Sequence, residues 1–518
     1  MEESKIQFVI DENGYKHYLE EVLGGGGQGV TWKTKDPNIL IKMKVNPGTG
    51  EPVVDDAEYE KFKKELDEVR ILDIPVDIHI AKPVSLLQKP YCGYTMRLLN
   101  DMKPIKYWIR PFDGTTKPGL FLYNTGGLRH RYELLMNTAE IFTRLYAHST
   151  VYADISPENI FTSGNLESSE VWLIDADNMR YRFDVEKQIQ TPGYGAPEIM
   201  KGEINSLQAD EYSFAILAHE ILTMNSPFNG ELLTDGDGGG WDDEEVDYAD
   251  LASKGEVAWI YDENDDSNRC HTGLGPKFAF TKNIKKLFEG NFGEKGRHDP
   301  LSRPKMRDWY IALRQAANLT AKCKYCGSTF LVQLEDIQNC KCPFCKTGRE
   351  SARAPFIAAI VMDYFNVDKI VADVNEDIDA FNSDGGYEVE PVSLDLLKRK
   401  EAVSIKIIDN MDGDYFLYNY HTSDTSFSEK VEKSIEIAIS EGEYTIRNLM
   451  NRAIRIGTPN SDYGEIMPNS SKRLSDINNI ILTMSVLCGD MTDYLGDEEF
   501  TTDDIGNLRE RRIQFVLV

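Results

Sequence analysis

Residues 151–179, VYADISPENIFTSGNLESSEVWLIDADNM, place an Asp and an Asn five apart on a short polar stretch, then another Asp after an apolar run: Asp154, Asn159 and Asp175. Mg2+ takes carboxylate and phosphate oxygens, so an Asp at the end of a buried strand is suited to hold it. Asp177 follows on the same strand face, where it could assist the metal. A second group is thiol. Cys323-x2-Cys326 is followed by Cys342-x2-Cys345. Two such knuckles can wrap one tetrahedral Zn2+ with four thiolates, leaving no open position, so the metal is structural. Two redox pairs are the competing reading, and no βαβ context supports it. Cys340 fits neither knuckle and is spare.

Near the start, LGGGGQGVTWK contains Gly24-x-Gly26-x-x-Gly29 between apolar residues. Glycines let a hairpin bring backbone N–H groups against phosphate oxygens, although a glycine-rich hairpin is often just a turn. Downstream, ILIKMKV reads as a strand with Lys42 and Lys44 on one face. A lysine there could reach nucleotide phosphates; otherwise it lies on a solvated face. Glu68 falls within a helical stretch, where its carboxylate could hold the strand lysine by a charge-assisted hydrogen bond.

These groups need a scaffold. The chain has 518 residues, 41% hydrophobic and 28% charged, which is ordinary for a globular protein of roughly two to four domains. Its formal net charge of −29 disfavours general binding to nucleic acid or anionic membrane. No apolar run is long enough to span a bilayer, and the acidic start lacks a signal pattern, so a cytoplasmic protein is expected. Five of the eight Cys lie between 323 and 345, which suggests metal rather than disulfides. Residues 8–99 alternate apolar and polar runs around one helix, and helical patterns dominate 128–318. The acidic insert TDGDGGGWDDEEVDYAD reads as a solvated loop. Beyond 350, short β-type runs such as AVSIKIID, KSIEIAI and RRIQFVLV argue for a β-rich domain, with a sandwich as the expected form.

Taken in order, the motifs resemble the eukaryote-like (Hanks-type) Ser/Thr protein kinase family of bacterial type. The resemblance runs through a Gly-rich loop, ILIK for V-A-I-K, Glu68 for the helix Glu, YADISPENIF for H-R-D-x-x-x-x-N, WLIDADN for D-F-G and GYGAPE for A-P-E. It implies an α+β multidomain chain: a bilobal kinase (small lobe 8–99, large lobe 100–318), then a four-Cys zinc ribbon (319–349) and the β-rich domain (350–518). It implies ATP with Mg2+ or Mn2+. Asp154 would orient the attacking hydroxyl, Lys42 and Glu68 would serve the phosphates, and Asn159 and Asp175 would hold the metal. Gly24, Gly26, Gly29 and Met96 would line the nucleotide, with Met96 in a connector over 93–102 that meets adenine. Glu198 would pair with Arg303, Asp210 would brace the catalytic loop, and Thr191 would stand beside the substrate.

The departures are specific. Tyr152 and Ala153 replace His and Arg, so activation through a phosphate-binding Arg is not expected. Ser156 replaces a Lys that helps neutralise the γ-phosphate, Ala176 replaces the Phe of D-F-G, and Leu40 replaces a small Ala beside adenine. They motivate a second reading, a pseudokinase scaffold that binds nucleotide or partners without transfer. The Cys unit is similar to zinc ribbons, which implies partner binding or domain bracing. VAWIYDENDDSN and the DISP loop most resemble bacterial members, some of which work opposite a cognate phosphatase and von Willebrand-type domain proteins.

Overall fold

The computed structural model describes residues 6–26, 29–46, 48–111, 115–186, 188–234, 246–344, 356–365, 379, 401–423, 430–485 and 509–518. Most of the acidic insert (235–245) and Cys345 lie outside the described residues. The chain is an α+β protein that divides into two compact units, Met1–Ala317 and Asn318–Val518.

The first unit opens with six strands, β1 (Phe8–Ile10), β2 (Lys16–Gly26), β3 (Gly29–Thr34), β4 (Ile39–Met43), β5 (Ser85–Leu86) and β6 (Gly93–Arg97), in the order β1-β2-β3-β4-β6-β5. Every pairing is antiparallel. Alternation along β4 gives the sheet its two faces. Ile41 and Met43 pack with Val9 and Leu87, whereas Leu40 packs with Tyr94, Met96, Tyr59 and Leu66. The latter two come from helix α1 (Asp56–Arg70), capped by Asp55, whose side chain accepts from Glu58 N. Lys42 therefore emerges on the face that α1 covers. Gly29 is set by close approach: a Cβ there would lie 2.7 Å from the carbonyl oxygen of Met43.

Helices follow: α2 (Pro118–Asn124), α3 (Gly127–Ala147), α4 (Pro197–Met200) and α5 (Leu207–Thr223). Helix α5 is buried nearly all round, from Ala209 and Asp210 to Leu222, which makes it a central element rather than a surface one. Ser206 caps it by accepting from Ala209 N. Short strands supply the site's loops: β7 (Met102–Pro104), β9 (Ile160–Ser163) and β10 (Val171–Leu173) form one small sheet, and β8 (Thr150–Val151) pairs with β11 (Arg180–Tyr181).

In the second unit, β12 (Thr320–Lys322) and β13 (Thr329–Leu331) make a hairpin. Among the described residues ten further strands follow: β14 (Phe356–Phe365), β15 (Glu401–Asp409), β16 (Gly413–Tyr418), β17 (Lys433–Ser440), β18 (Glu443–Asn448), β19 (Ile454–Thr458), β20 (Ser461–Ile466), β21 (Ser471–Leu474), β22 (Ile481–Ser485) and β23 (Arg509–Leu517). They form a six-stranded sheet, β15-β14-β23-β22-β19-β20, and a four-stranded sheet, β16-β17-β18-β21. Alternate residues of both, including Ile357, Val361, Ile513, Ile437 and Ile446, fill one core between them, the packing of a β-sandwich. The hairpin packs on this domain: Phe330 and Val332 join Phe356, Ala358 and Ile407 in a second core, and Lys322 N donates to Asp409 Oδ1 at 2.6 Å. Among the described residues, no helix is long and apolar enough to cross a membrane.

Candidate active site

The loop between β8 and β9 carries Asp154 and Asn159. Helix α5 holds its start: Asp210 accepts from the backbone N–H of Tyr152 at 2.9 Å and of Ala153 at 3.1 Å, and Ala153 takes a left-handed φ of 73°. Burial pushes the Asp210 carboxyl up to about 7, against the pull of those two N–H groups. Asn159 Nδ2 donates to Asp154 Oδ2 at 2.9 Å and to the Asp154 carbonyl at 3.0 Å, while Thr191 donates to Asp154 Oδ1 at 2.7 Å. Both carboxylate oxygens are thus directed. Asp154, Thr191, Tyr194, Gly195, Asn205 and Ser213 line one small polar cleft.

Asp175 lies two residues beyond β10 with a left-handed backbone, φ 55° and ψ 50°, opening a 3-10 turn, Ala176–Asn178. Asp177 is therefore on that turn and not on the strand, a correction to the strand-face expectation. Lys42 reaches the turn: it donates to Asp175 and, at 2.7 Å, to Asp177 Oδ2. Burial works against the ammonium, but Asp177 and Asp175 outweigh it and lift the Lys42 pKa above the ordinary lysine value. Burial, with Asp177 behind it, raises the Asp175 carboxyl even against Lys42. Tyr94 also donates to Asp177 Oδ1.

Two more expected placements change. Glu68 does not hold Lys42; it pairs with Arg180 Nε at 3.3 Å. The reason is helical phase. The face of α1 turned to the sheet carries Tyr59, Phe62, Leu66 and Val69, and Glu68 sits about 100° round from Val69. Glu65, which the sequence reading passed over, lies nearer that face and is half-buried. Lys44, not Lys42, takes a helix carboxylate, donating to Glu58 Oε2 at 2.7 Å. Met96 is not in a connector: residues 93–97 are strand β6, Met96 stands opposite Leu40 and its side chain is buried, so the connector begins at Leu98. Of the glycines, Gly26 pairs with Gly29 across the hairpin and Gly24 with Thr31.

Apart from this centre, Arg303 forms a bidentate pair with Glu198 at 2.7 and 2.8 Å, both buried. In the second unit the sulfurs of Cys323, Cys326 and Cys342 lie within 4.8 Å of one another. Gly327, at φ 72°, turns the first knuckle, and its N–H donates to the Cys323 carbonyl at 2.8 Å.

The donor sets fit the ions that the sequence implies. Asp175 offers a carboxylate and Asn159 an amide oxygen beside the Asp154 carboxylate, an oxygen-rich and net negative set suited to Mg2+. The Cys326–Cys342 sulfur separation is 3.7 Å, and tetrahedral Zn–S bonds set such an edge at about 3.8 Å.

No family model matches the chain. It is similar to protein kinase C-like 1 of Caenorhabditis elegans, 27% identical over 244 residues, 43% of this chain and 34% of that protein. It is similar to serine/threonine-protein kinase PknB of Mycolicibacterium smegmatis, 22% identical over 226 residues, 42% of this chain and 34% of that protein. A cGMP-dependent protein kinase of Drosophila melanogaster is 24% identical over 181 residues, 32% of this chain and 18% of that protein. The chain thus spans about a third of the length of the first two relatives and less than a fifth of the third.

Proposed function

We propose that the chain is an ATP- and Mg2+-dependent protein kinase that transfers the γ-phosphate of ATP to protein Ser or Thr hydroxyls. One observation carries the reading: Asp154 is held at both oxygens, at the edge of a polar cleft, in the loop whose Asn159 stands beside it. Similarity to three named protein kinases supports it.

In this reading the first unit is a bilobal kinase, with residues 8–99 and 100–318 as its lobes. Asp154 accepts the hydrogen bond of the attacking hydroxyl and aims its oxygen at phosphorus. Thr191 stands beside the acceptor side chain. Lys42 steers the α- and β-phosphates, and Gly24, Gly26 and Gly29 form the hairpin over them. Asn159 and Asp175 would hold Mg2+, which supplies charge neutralisation on the transferring phosphoryl group. With Ala153 in place of Arg, activation through an Arg–phosphate pair at that position is not expected. We infer work in the cytoplasm.

We take residues 319–349 as a zinc ribbon, with Cys345 as the fourth thiolate, and the sandwich as the module that selects partners or substrates. A cognate phosphatase and von Willebrand-type proteins are candidate partners. A pseudokinase scaffold is the second reading, favoured by the buried Leu40 side chain, which packs against Met96 where an adenine would need room. Incubation with Mg·ATP and generic acceptor proteins, followed by mass spectrometry, tests the proposal. Phosphoserine or phosphothreonine supports it, and nucleotide binding without any phosphoprotein supports the scaffold.

A further inference from the structure

Strand β4 presents Lys42 to helix α1, so a carboxylate of that helix is the obvious partner. The helix spends its carboxylates elsewhere, Glu58 on Lys44 and Glu68 on Arg180. Lys42 bonds to Asp175 and Asp177, both from the turn that follows β10. We propose that Asp177 is the positioning residue of Lys42, supplying from that turn the carboxylate that fixes the ammonium for the nucleotide phosphates. This rests on the kinase reading of the site.

The turn is built to hold Asp177 still. One of its carboxylate oxygens takes Lys42 and the other takes the hydroxyl of Tyr94, which is 1% exposed. Burial, reinforced by Asp177, keeps that phenol protonated, so it is a constant donor. The Asp177 carbonyl accepts from Arg180 NH1 at 2.8 Å, and the same guanidinium engages Glu68. The turn is thereby tied to β6 on one side and to α1 on the other. Ala176, small and buried, offers no large side chain that could swing and carry the turn with it.

The arrangement divides the labour of two acids. A lysine held by Asp175 alone would lose its partner when Asp175 turned to a metal. Held by Asp177 as well, Lys42 keeps a neutralising carboxylate while Asp175 is released. Asp177 thus stands where the sequence carries D-A-D, and it makes a helix carboxylate dispensable for placing Lys42.

The test uses the full chain with a fluorescent ATP analogue and Mg2+ for affinity, and labelled ATP for transfer. The variants are Asp177→Ala, Asp177→Glu, Glu65→Gln and Glu68→Gln. Asp177→Ala is expected to weaken nucleotide affinity by about tenfold or more, the scale of one lost charge-assisted hydrogen bond, and to lower kcat. Asp177→Glu recovers most of the affinity, and each helix variant weakens binding less than Asp177→Ala does. The assignment is overturned if folded Asp177→Ala binds within about twofold of wild type, or if either helix variant loses more. It is also overturned if the wild-type chain does not bind Mg·ATP. Binding without transfer by the wild type would instead sink the kinase reading, and the affinity comparison would still decide the role of Asp177.

Discussion

Thr191 donates its hydroxyl to Asp154 Oδ1 at 2.7 Å, tying the segment before Gly-Tyr-Gly-Ala-Pro-Glu to the loop that carries the proposed catalytic carboxylate. With Asn159 on the other oxygen, the orientation of Asp154 is set by two side chains from different parts of the chain.

Losing one of them should show in the chemical step. Thr191→Val keeps the shape and removes the donor, and kcat for phosphoryl transfer is expected to fall about tenfold while KM for ATP changes little. Thr191→Ser should stay near wild type. Steady-state kinetics with a peptide or protein acceptor reads both.

Arg303 and Glu198 form a buried, bidentate ion pair, with Arg303 also donating to the Gly296 carbonyl at 2.8 Å. Arg303→Leu strands a buried carboxylate, so a loss of about 3–5 kcal/mol is expected in urea unfolding of the chain. Glu198→Gln keeps one acceptor but turns an NH2 against the other Arg303 N–H and leaves that cation without its anion, so it too should destabilise the fold.

Glu211, on α5, is pushed up to about 7 by burial, with Lys305 opposing. Its folded pKa is above its unfolded value near 4.5, so its contribution to stability is complete below that value and is lost as pH rises through about 7. Glu211→Gln should therefore melt like wild type near pH 4, gain on it progressively as pH rises past 4.5, and be more stable at pH 7 and above by on the order of 2 kcal/mol. Thermal unfolding across that range checks the crossover.

The thiol cluster makes a stoichiometric prediction. Elemental analysis should find one zinc per chain, retained by Cys340→Ser and lost from Cys323→Ser and Cys342→Ser. Because Cys323 and Cys342 belong to the same apolar core as Phe356 and Ile407, loss of the metal should also lower the melting temperature of the second unit.

Local pairings were legible in spacing alone, whereas long-range partnership came only through the family resemblance, which implies Glu198 with Arg303 and Asp210 on the catalytic loop but not Asp177 with Lys42. Asp154 and Asn159 are five residues apart on one loop, so their spacing alone brings them together. The helical character of α5 and most of the β-type runs after residue 400 were readable from periodicity, although β18, β20 and β21 were not. Lys42 and Asp175 are 133 residues apart, and nothing in either stretch states that Asp177 would share the lysine. Choosing the carboxylate on α1 required knowing which face packs, and a step of one residue turns the choice by about 100°. Likewise, the family resemblance places Met96 in a connector over 93–102, yet pairing with β4 extends the strand to Arg97. The packing of the Cys-bearing hairpin on the sandwich depends on Phe330 and Val332, residues that look like any strand residues in sequence.

The central claim is that Asp154 serves phosphoryl transfer. Its most direct measurement is the initial rate of labelled phosphate transfer from Mg·ATP by the wild-type chain and by Asp154→Ala, with nucleotide affinity read in parallel. The account predicts transfer by the wild type and a loss of roughly a hundredfold or more in Asp154→Ala, with affinity nearly unchanged. Equal rates in the two proteins, or no transfer by the wild type to any acceptor, would contradict it.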